Sequence, residues 1–283
     1  MLPNAHPSNG ARPAPGLLAG LDGAMAAAMD TGVGVRPMPP VFAPALPAPE
    51  PDDAADRAAS EEGVVPADRS ELANRLVNML VAGIALLILA PVCVLVALAV
   101  KFTSPGPVFY TQTRVGLDRR WSRTSDDEDD ERRQEDLGGQ PFTILKFRSM
   151  RADAESNGQA VWATKHDARI TPVGHVLRKT RLDEVPQLIN VLRGEMNIVG
   201  PRPERPSIVV RLREHVGEYP QRHRVKPGIT GWAQINHSYD ASIEDVRTKV
   251  RYDLEYISRQ GMWFDLKIMC LTLPVMVFKR GAH

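Results

Sequence analysis

A chain of 283 residues with 35 Lys and Arg against 34 Asp and Glu is near neutral as a whole, and its 43% hydrophobic content suffices for one ordinary domain with additions. Two cysteines, Cys93 in an apolar run and Cys270 in an apolar C-terminal segment, show no CxxC or Cys/His spacing; this excludes a disulfide framework, and both read as small packed hydrophobes. The charge is uneven: from residue 141 onward 23 Lys and Arg face 15 Asp and Glu (23 − 15 = +8), which suits an anionic substrate, an anionic membrane surface or an ordinary solvated surface.

Residues 1 to 70 are rich in Pro, Ala, Gly and acids and lack sustained periodicity, so they are expected to form a disordered leader. "GLLAGLDGAMAAAM" is broken by Asp22 and glycines and lacks a compact basic region, which excludes a signal peptide. Deleting residues 1 to 65 is expected to leave activity largely unchanged.

"RLVNMLVAGIALLILAPVCVLVALAVKF" follows, within a segment assigned to residues 71 to 103. From Leu76 to Val100 only Asn78 is strongly polar, and a straight helix of that length would run roughly 37 Å, enough for a membrane. Pro91 removes a backbone donor and is expected to kink or split it into pieces of roughly 22 and 15 Å, each short of the hydrocarbon core. Arg69 and Arg75 precede the run and Lys101 and Arg114 follow it, so charge bias selects neither a hairpin that leaves by its entry face nor a kinked span.

Residues 104 to 283 read as a mostly helical α+β catalytic domain. "TSPGPVFYTQTRVG" predicts a turn and a short strand, "PFTILKFRSM" a second strand, and the acidic stretch 118 to 140 a solvated insertion loop. Short helices are expected beyond, with turns at "TPVG", "GPRP" and "KPGITG". "DASIEDVRTKVRYDLEYI" has helical spacing at Val246, Val250, Leu254 and Ile257 and is expected to pack on the core. "MWFDLKIMCLTLPVMVFKRGAH" fits an amphipathic helix at the membrane interface with Trp263 and Phe264 at headgroup level, or a helix of the core. None of the seven histidines recurs at metal-ligand spacing.

The chemistry concentrates in "RLDEVPQLINVLRGEMNIVGPRPERP". With Asp183 as N-cap, Glu184, Val185 and Pro186 would fill the first turn of a helix whose apolar face is Leu188, Ile189 and Leu192 and whose stop is Gly194. Two carboxylates at a helix N-terminus are, taken alone, ordinary capping. Three neighbours change that: Arg178, Lys179 and Arg181 just upstream, Arg202 stiffened between Pro201 and Pro203, and Arg222, Arg224 and Lys226 beside a glycine-rich turn. A carboxylate can attack phosphorus when cations neutralise the oxygens, and a divalent ion would relieve the repulsion between Asp183 and Glu184. Acidic pair, arginines and membrane segment together point to phosphoryl chemistry on a lipid.

"SPGPVFYTQTRVG", "PFTILKFRSM", "LRKTRLDEVPQLINVLRGEMNIVGPRPERP" and "YPQRHRVKPGITGWAQI" resemble, in this order, the monotopic phosphoglycosyl transferases, the bacterial sugar transferases that start glycan assembly on undecaprenyl phosphate. The resemblance runs from about Leu72 to Val277, apart from the insertion. It implies transfer of a phospho-sugar from a UDP-sugar to undecaprenyl phosphate with release of UMP. By resemblance Asp183 is the covalent nucleophile and Glu184 its partner, both near Mg²⁺ (or Mn²⁺). Arg178 and Arg202 match phosphate-side arginines. Lys146 and Arg148 belong to a motif near the membrane junction and are grouped with them. Glu204, Arg222, Arg224 and Lys226 are candidates for the nucleotide or sugar side. The resemblance makes 71 to 103 a re-entrant helix broken at Ala90-Pro91, with both termini and the catalytic domain on the cytoplasmic side of the inner membrane. Membrane lipid, a second copy and downstream glycosyltransferases are the expected partners.

The long insertion and the absence of several visible spanning helices depart from the family's larger members, and the chain reads as a minimal membrane core. The style of "RGEMNIVGPRPERP" leans to a hexose donor for exopolysaccharide or capsule. The alternative is a membrane-anchored scaffold or regulator that lost turnover. A nucleic-acid-binding module is set aside: there is no reading helix or aromatic platform, and a membrane segment is present.

Overall fold

The computed structural model describes residues 63–122, 137–154, 167–237 and 242–277. Residues 1–62 of the leader and 123–136 of the insertion lie outside the described residues, as do 155–166, 238–241 and 278–283. The leader's last stretch is not free of the body. Val64 donates its N–H to Gln221 Oε1 at 2.8 Å, and Ala67 donates to the Ile257 carbonyl at 3.0 Å. Residues 63–70, read as the end of the leader, are thus tied to the domain by hydrogen bonds.

Ser70 then caps helix α1 (Glu71–Thr103), accepting from the Ala73 N–H. The helix continues through Pro91 and is not split there. Proline removes one intrahelical bond and the turns on either side carry the ladder past it. It is the one described helix long and apolar enough to cross a membrane. Leu76, Leu80, Ile84, Leu87, Leu95 and Phe102 are exposed, while a narrow line of Asn78, Ala82, Val96 and Val100 is buried. Ala82 packs with Leu188, Val191 and Met196, and Val96 and Val100 pack with Phe147 and Leu177. The helix therefore lies against the body along both halves of its length.

Strands β1 (Phe109–Val115) and β2 (Pro141–Phe147) pair antiparallel from Phe109↔Phe147 to Val115↔Pro141, with the insertion between them. Helix α2 (Pro172–Thr180) opens within the "TPVG" expected to be a turn, because Thr171 accepts the Gly174 N–H and Pro172 occupies a first-turn position where no donor is missed. A single 3₁₀ turn (Leu182–Glu184) leads through Pro186 into helix α3 (Gln187–Arg193), which Gly194 ends at φ 88°. Strand β3 (Asn197–Val199) follows, then helix α4 (Pro206–His215) and a 3₁₀ segment (Tyr219–Arg224).

"KPGITG", also expected to be a turn, supplies strand β4 (Gly228–Thr230), parallel to β3. The two backbones touch so closely that a Cβ on Gly228 would stand 2.1 Å from the Gly200 nitrogen. Helices α5 (Trp232–Asn236), α6 (Ile243–Arg259) and α7 (Met262–Val277) complete the order. Val246, Val250, Leu254 and Ile257 of α6 are buried at the expected spacing, each contributing about 1.5–3 kcal/mol. Helix α7 does not divide into polar and apolar faces. Ile268 is fully buried and Phe264 rests on Trp232 and Tyr256, whereas Met262, Trp263 and Leu266 are exposed; Trp263 and Phe264 thus part company.

Candidate active site

Arg181 ends α2 with φ 58° and ψ 14°, the one described non-glycine residue at positive φ. That left-handed step costs a side-chain-bearing residue about 1–3 kcal/mol and reverses the chain directly into the carboxylate turn. Asp183 is consequently not a helix N-cap. It and Glu184 are the middle and last residues of the 3₁₀ turn, whose cap is Arg181. The buried face of α3 is Gln187, Leu188, Asn190 and Val191, so Val191 stands where Ile189 was expected.

Three cations converge on one oxygen. Lys146 Nζ lies 3.0 Å, Arg202 Nη2 2.9 Å and Arg181 Nη1 3.8 Å from Glu184 Oε1. Burial alone would raise the Glu184 pKa, but these charges override it and hold the carboxyl far below the usual range. Glu184 in turn raises the Arg202 pKa. Lys146 is pushed down by burial, against the pull of Glu184. Asp183 moves the opposite way from its neighbour. Burial first, and the Glu184 charge second, raise its pKa, and its Oδ1 is buried without a hydrogen-bond partner. Adjacent carboxylates are thus differentiated: one is clamped, the other is left with an unengaged oxygen. Arg178 contributes to the field at Asp183 and is half-buried.

The turn carrying Arg202 has prolines at 201, 203 and 206, which lock φ but lack N–H groups, so it is tied to its surroundings through its carbonyls. Every one from 201 to 204 is engaged: Pro201 by the Gly228 N–H, Arg202 by Arg222 Nη2, Pro203 by Arg114 Nη1 and Glu204 by the Val115 N–H. Arg222 is 2% exposed and also donates to Tyr219 Oη at 2.8 Å and Asp253 Oδ2 at 3.0 Å. Glu204 pairs with Arg114 and Lys249, both at 3.4 Å; against the upward push of burial, Lys249 and Arg114 bring its pKa down to about 2.

The structure therefore brings Asp183, Glu184, Lys146, Arg202 and Arg178 together. It sets Glu204 and Arg222 in a buried ionic network behind the turn. Arg148 donates to the Ser104 and Pro105 carbonyls at 2.7 and 2.6 Å, fixing the exit of α1. Arg224 holds the Val64 carbonyl and stacks over Trp121, and Lys226 lies among Arg75, Arg119 and Arg69. Ala90 and Pro91 are both exposed on α1. Asn78, Asn190 and Asp253 were missed from the sequence because their partners are distant along the chain. Buried asparagine in an apolar run was the available signal for Asn78.

The profile of the bacterial sugar transferases matches residues 69–279. The chain is 42% identical over 216 residues to the UDP-glucose:undecaprenyl-phosphate glucose-1-phosphate transferase of Escherichia coli K12, covering 76% of this chain and 42% of that protein. It is 38% identical to a UDP-N-acetylgalactosamine-undecaprenyl-phosphate N-acetylgalactosaminephosphotransferase of Aeromonas hydrophila, covering 74% and 45% of the two. The chain thus spans less than half the length of these two relatives. A Caulobacter vibrioides UDP-glucose:undecaprenyl-phosphate glucose-1-phosphate transferase is 34% identical over 78% of this chain and 76% of its own length. With its carboxylate turn, cation cluster and apolar helix, the chain belongs to the bacterial sugar transferase family.

Proposed function

We propose that the protein transfers a sugar 1-phosphate from a UDP-sugar to undecaprenyl phosphate. A deprotonated Asp183 oxygen attacks the sugar-bearing phosphorus and the bond from that phosphorus to the bridging oxygen breaks, so UMP leaves with the oxygen. The acceptor's phosphate oxygen then attacks the same phosphorus and displaces the carboxylate, giving undecaprenyl-diphosphate sugar and free Asp183. The observation that carries the reading is the contrast within the pair: three cations gathered on Glu184 Oε1 beside an unpartnered, buried Asp183 Oδ1. Arg202, Arg178 and Lys146 supply fixed positive charge where phosphate oxygens gain negative charge. The names of the relatives support the reaction class; glucose and N-acetylgalactosamine both occur among them, and a hexose donor is the choice proposed here.

Mg²⁺ fits the donor set. Asp183 Oδ1 is buried without a hydrogen-bond partner, and Mg²⁺ characteristically takes one or two carboxylates with waters and substrate phosphates. Asp183 and Glu184 would hold it, and it would neutralise diphosphate charge. Helix α1 is proposed to enter and leave by the cytoplasmic face of the inner membrane, bent at Pro91. Its packing against the body in both halves supports this, since a spanning helix would carry one end about 30 Å away.

The test uses the full chain in nanodiscs with Mg²⁺ and a panel of UDP-sugars, with and without undecaprenyl phosphate. The expected result is acceptor-dependent UMP release with one sugar and a phospho-sugar adduct on the Asp183 peptide. Asp183→Asn is expected to abolish both and remain membrane-bound. Turnover that survives Asp183→Asn removes the nucleophile assignment, and silence across the panel in a folded, inserted protein favours the scaffold reading.

A further inference from the structure

Strand β2 has β1 on one side, and on its other edge the main-chain groups of Thr143 and Leu145 point away from β1. A side chain, not a strand, pairs with that edge. Asn190 of α3, 0% exposed, accepts the Leu145 N–H through Oδ1 at 3.0 Å and donates Nδ2 to the Thr143 carbonyl at 2.7 Å. Its amide thus reproduces the two-bond exchange that a neighbouring strand would make. Nδ2 also donates to Glu195 Oε2 at 2.7 Å, just beyond the end of α3, which fixes the amide's orientation.

The two bonds bracket residue 144 and stop one residue short of Lys146, whose Nζ reaches Glu184. Lys146 is on β2; Glu184 ends the turn that runs into α3. Asn190 is therefore a direct bond between the element carrying the cation and the element following the carboxylate. We infer that Asn190 is a positioning residue of the active site: its amide sets the spacing of β2 and α3 and so holds Lys146 against Glu184. Its catalytic consequence rests on the transfer reaction proposed above, whereas the lock itself does not.

Asn190→Ser is too short to bridge both main-chain groups. In this variant the Leu145 amide is expected to exchange roughly tenfold faster or more while amides of α6 keep their protection. Acetylation of the Lys146 amine by acetic anhydride is expected to quicken, since the amine is no longer pinned in a buried pair. With a displacement on the order of 1 Å at Lys146, kcat is expected to fall about 10- to 100-fold with the donor KM little changed. A second pair covers a variant that fails to fold: Asn190→Asp loses both donated bonds and repels Glu195, and adding Glu195→Gln returns a donor to the orphaned oxygen. The pair is expected to restore part of the Lys146 protection and of kcat, and no rescue overturns the inference.

Unchanged Leu145 exchange and Lys146 acetylation overturn it, and so does loss of protection throughout α6, which would make Asn190 a stabiliser of the whole fold. Wild-type protein that turns over no donor while acetylation responds as expected supports the lock and overturns the transfer reading. Wild-type and Asn190→Ser turning over equally overturns the positioning role alone.

Discussion

Arg222 donates to the main-chain carbonyl of Arg202 at 3.0 Å, so one arginine fixes the backbone of another whose guanidinium meets the Glu184 carboxylate. The fold stacks its charges in two tiers. In front, Glu184 gathers Lys146, Arg202 and Arg181; behind, Arg222 is held by Asp253 and Tyr219, with Glu204 bound to Arg114 and Lys249. The proline-rich turn is the plate between them.

The back tier separates stability from positioning. Arg222→Met leaves Asp253, 1% exposed, as a buried carboxylate without its cation, and a loss of about 3–5 kcal/mol is expected by chemical unfolding. Adding Asp253→Leu removes the stranded group and is expected to return most of that stability. UMP release is expected to stay about 100-fold down in both variants, because the Arg202 carbonyl is still unheld. Recovery of turnover in the double variant would show that Arg222 acts through stability alone.

The front tier predicts a pH dependence. In the proposed reaction Asp183 must be deprotonated to attack, and burial together with Glu184 raises its pKa above the ordinary 3.8, while Glu184 stays ionised far below it. Turnover is therefore lost as pH falls through the Asp183 pKa, and the acid limb of kcat/KM reports that group. Lys146 is one of the charges holding this pKa down. In Lys146→Met the limb is expected to move to higher pH, with kcat about 100-fold lower for the lost transition-state charge. An unmoved limb would assign it to another group.

His223 links pH to stability. Burial and then Arg222 depress its pKa from 6.5 to about 3, and its Nδ1 is buried without a partner. The unfolded chain takes up this proton near pH 6.5 while the folded chain refuses it. Stability is full above pH 6.5 and falls as pH drops toward 3, by about 1.4 kcal/mol per unit. Buried Asp253 and half-buried Asp265, with raised pKa values, act in the other direction, so the test is the difference between wild type and His223→Gln in unfolding midpoints from pH 7 to 5. The wild type is expected to lose stability relative to the variant on acidification; parallel curves would refute the assignment.

What the sequence disclosed were features that depend on near neighbours. A Pro-fixed turn marked β1, alternation marked β2, the spacing of Val246, Val250, Leu254 and Ile257 marked α6, and the run around Pro91 marked α1. The 3₁₀ turn escaped because Pro186 satisfies both a first-turn reading and the continuation of a turn begun at Arg181, whose left-handed φ has no local signature in an arginine. Arg148 and Arg222 read like other basic residues near phosphate motifs. Their occupation by the carbonyls of residues 104, 105 and 202 is tertiary, as are the contacts of Asn190 with β2.

Asn78 gives the last prediction, because it is where hydropathy and structure disagree. It is the polar exception in the apolar run; it donates Nδ2 to the Asn74 carbonyl at 2.8 Å and accepts the Ile198 N–H of β3 at 2.6 Å. One turn earlier Arg75 donates to the Val191 and Leu192 carbonyls in the last turn of α3. These bonds fasten the start of α1 to the elements on both sides of Gly194, and Arg148 fastens its exit. Asn78→Leu makes the helix more apolar, so membrane retention is expected to be unchanged or stronger. The same change strands the Ile198 N–H at a cost of about 1–3 kcal/mol and loosens β3 ahead of the Arg202 turn. Vesicle flotation, Ile198 amide exchange and UMP release on one preparation would separate these effects: retained flotation with faster exchange and reduced turnover is expected. If all three follow hydropathy and none follows the lost bond, Asn78 is a tolerated polar residue and not a joint between α1 and the Arg202 turn.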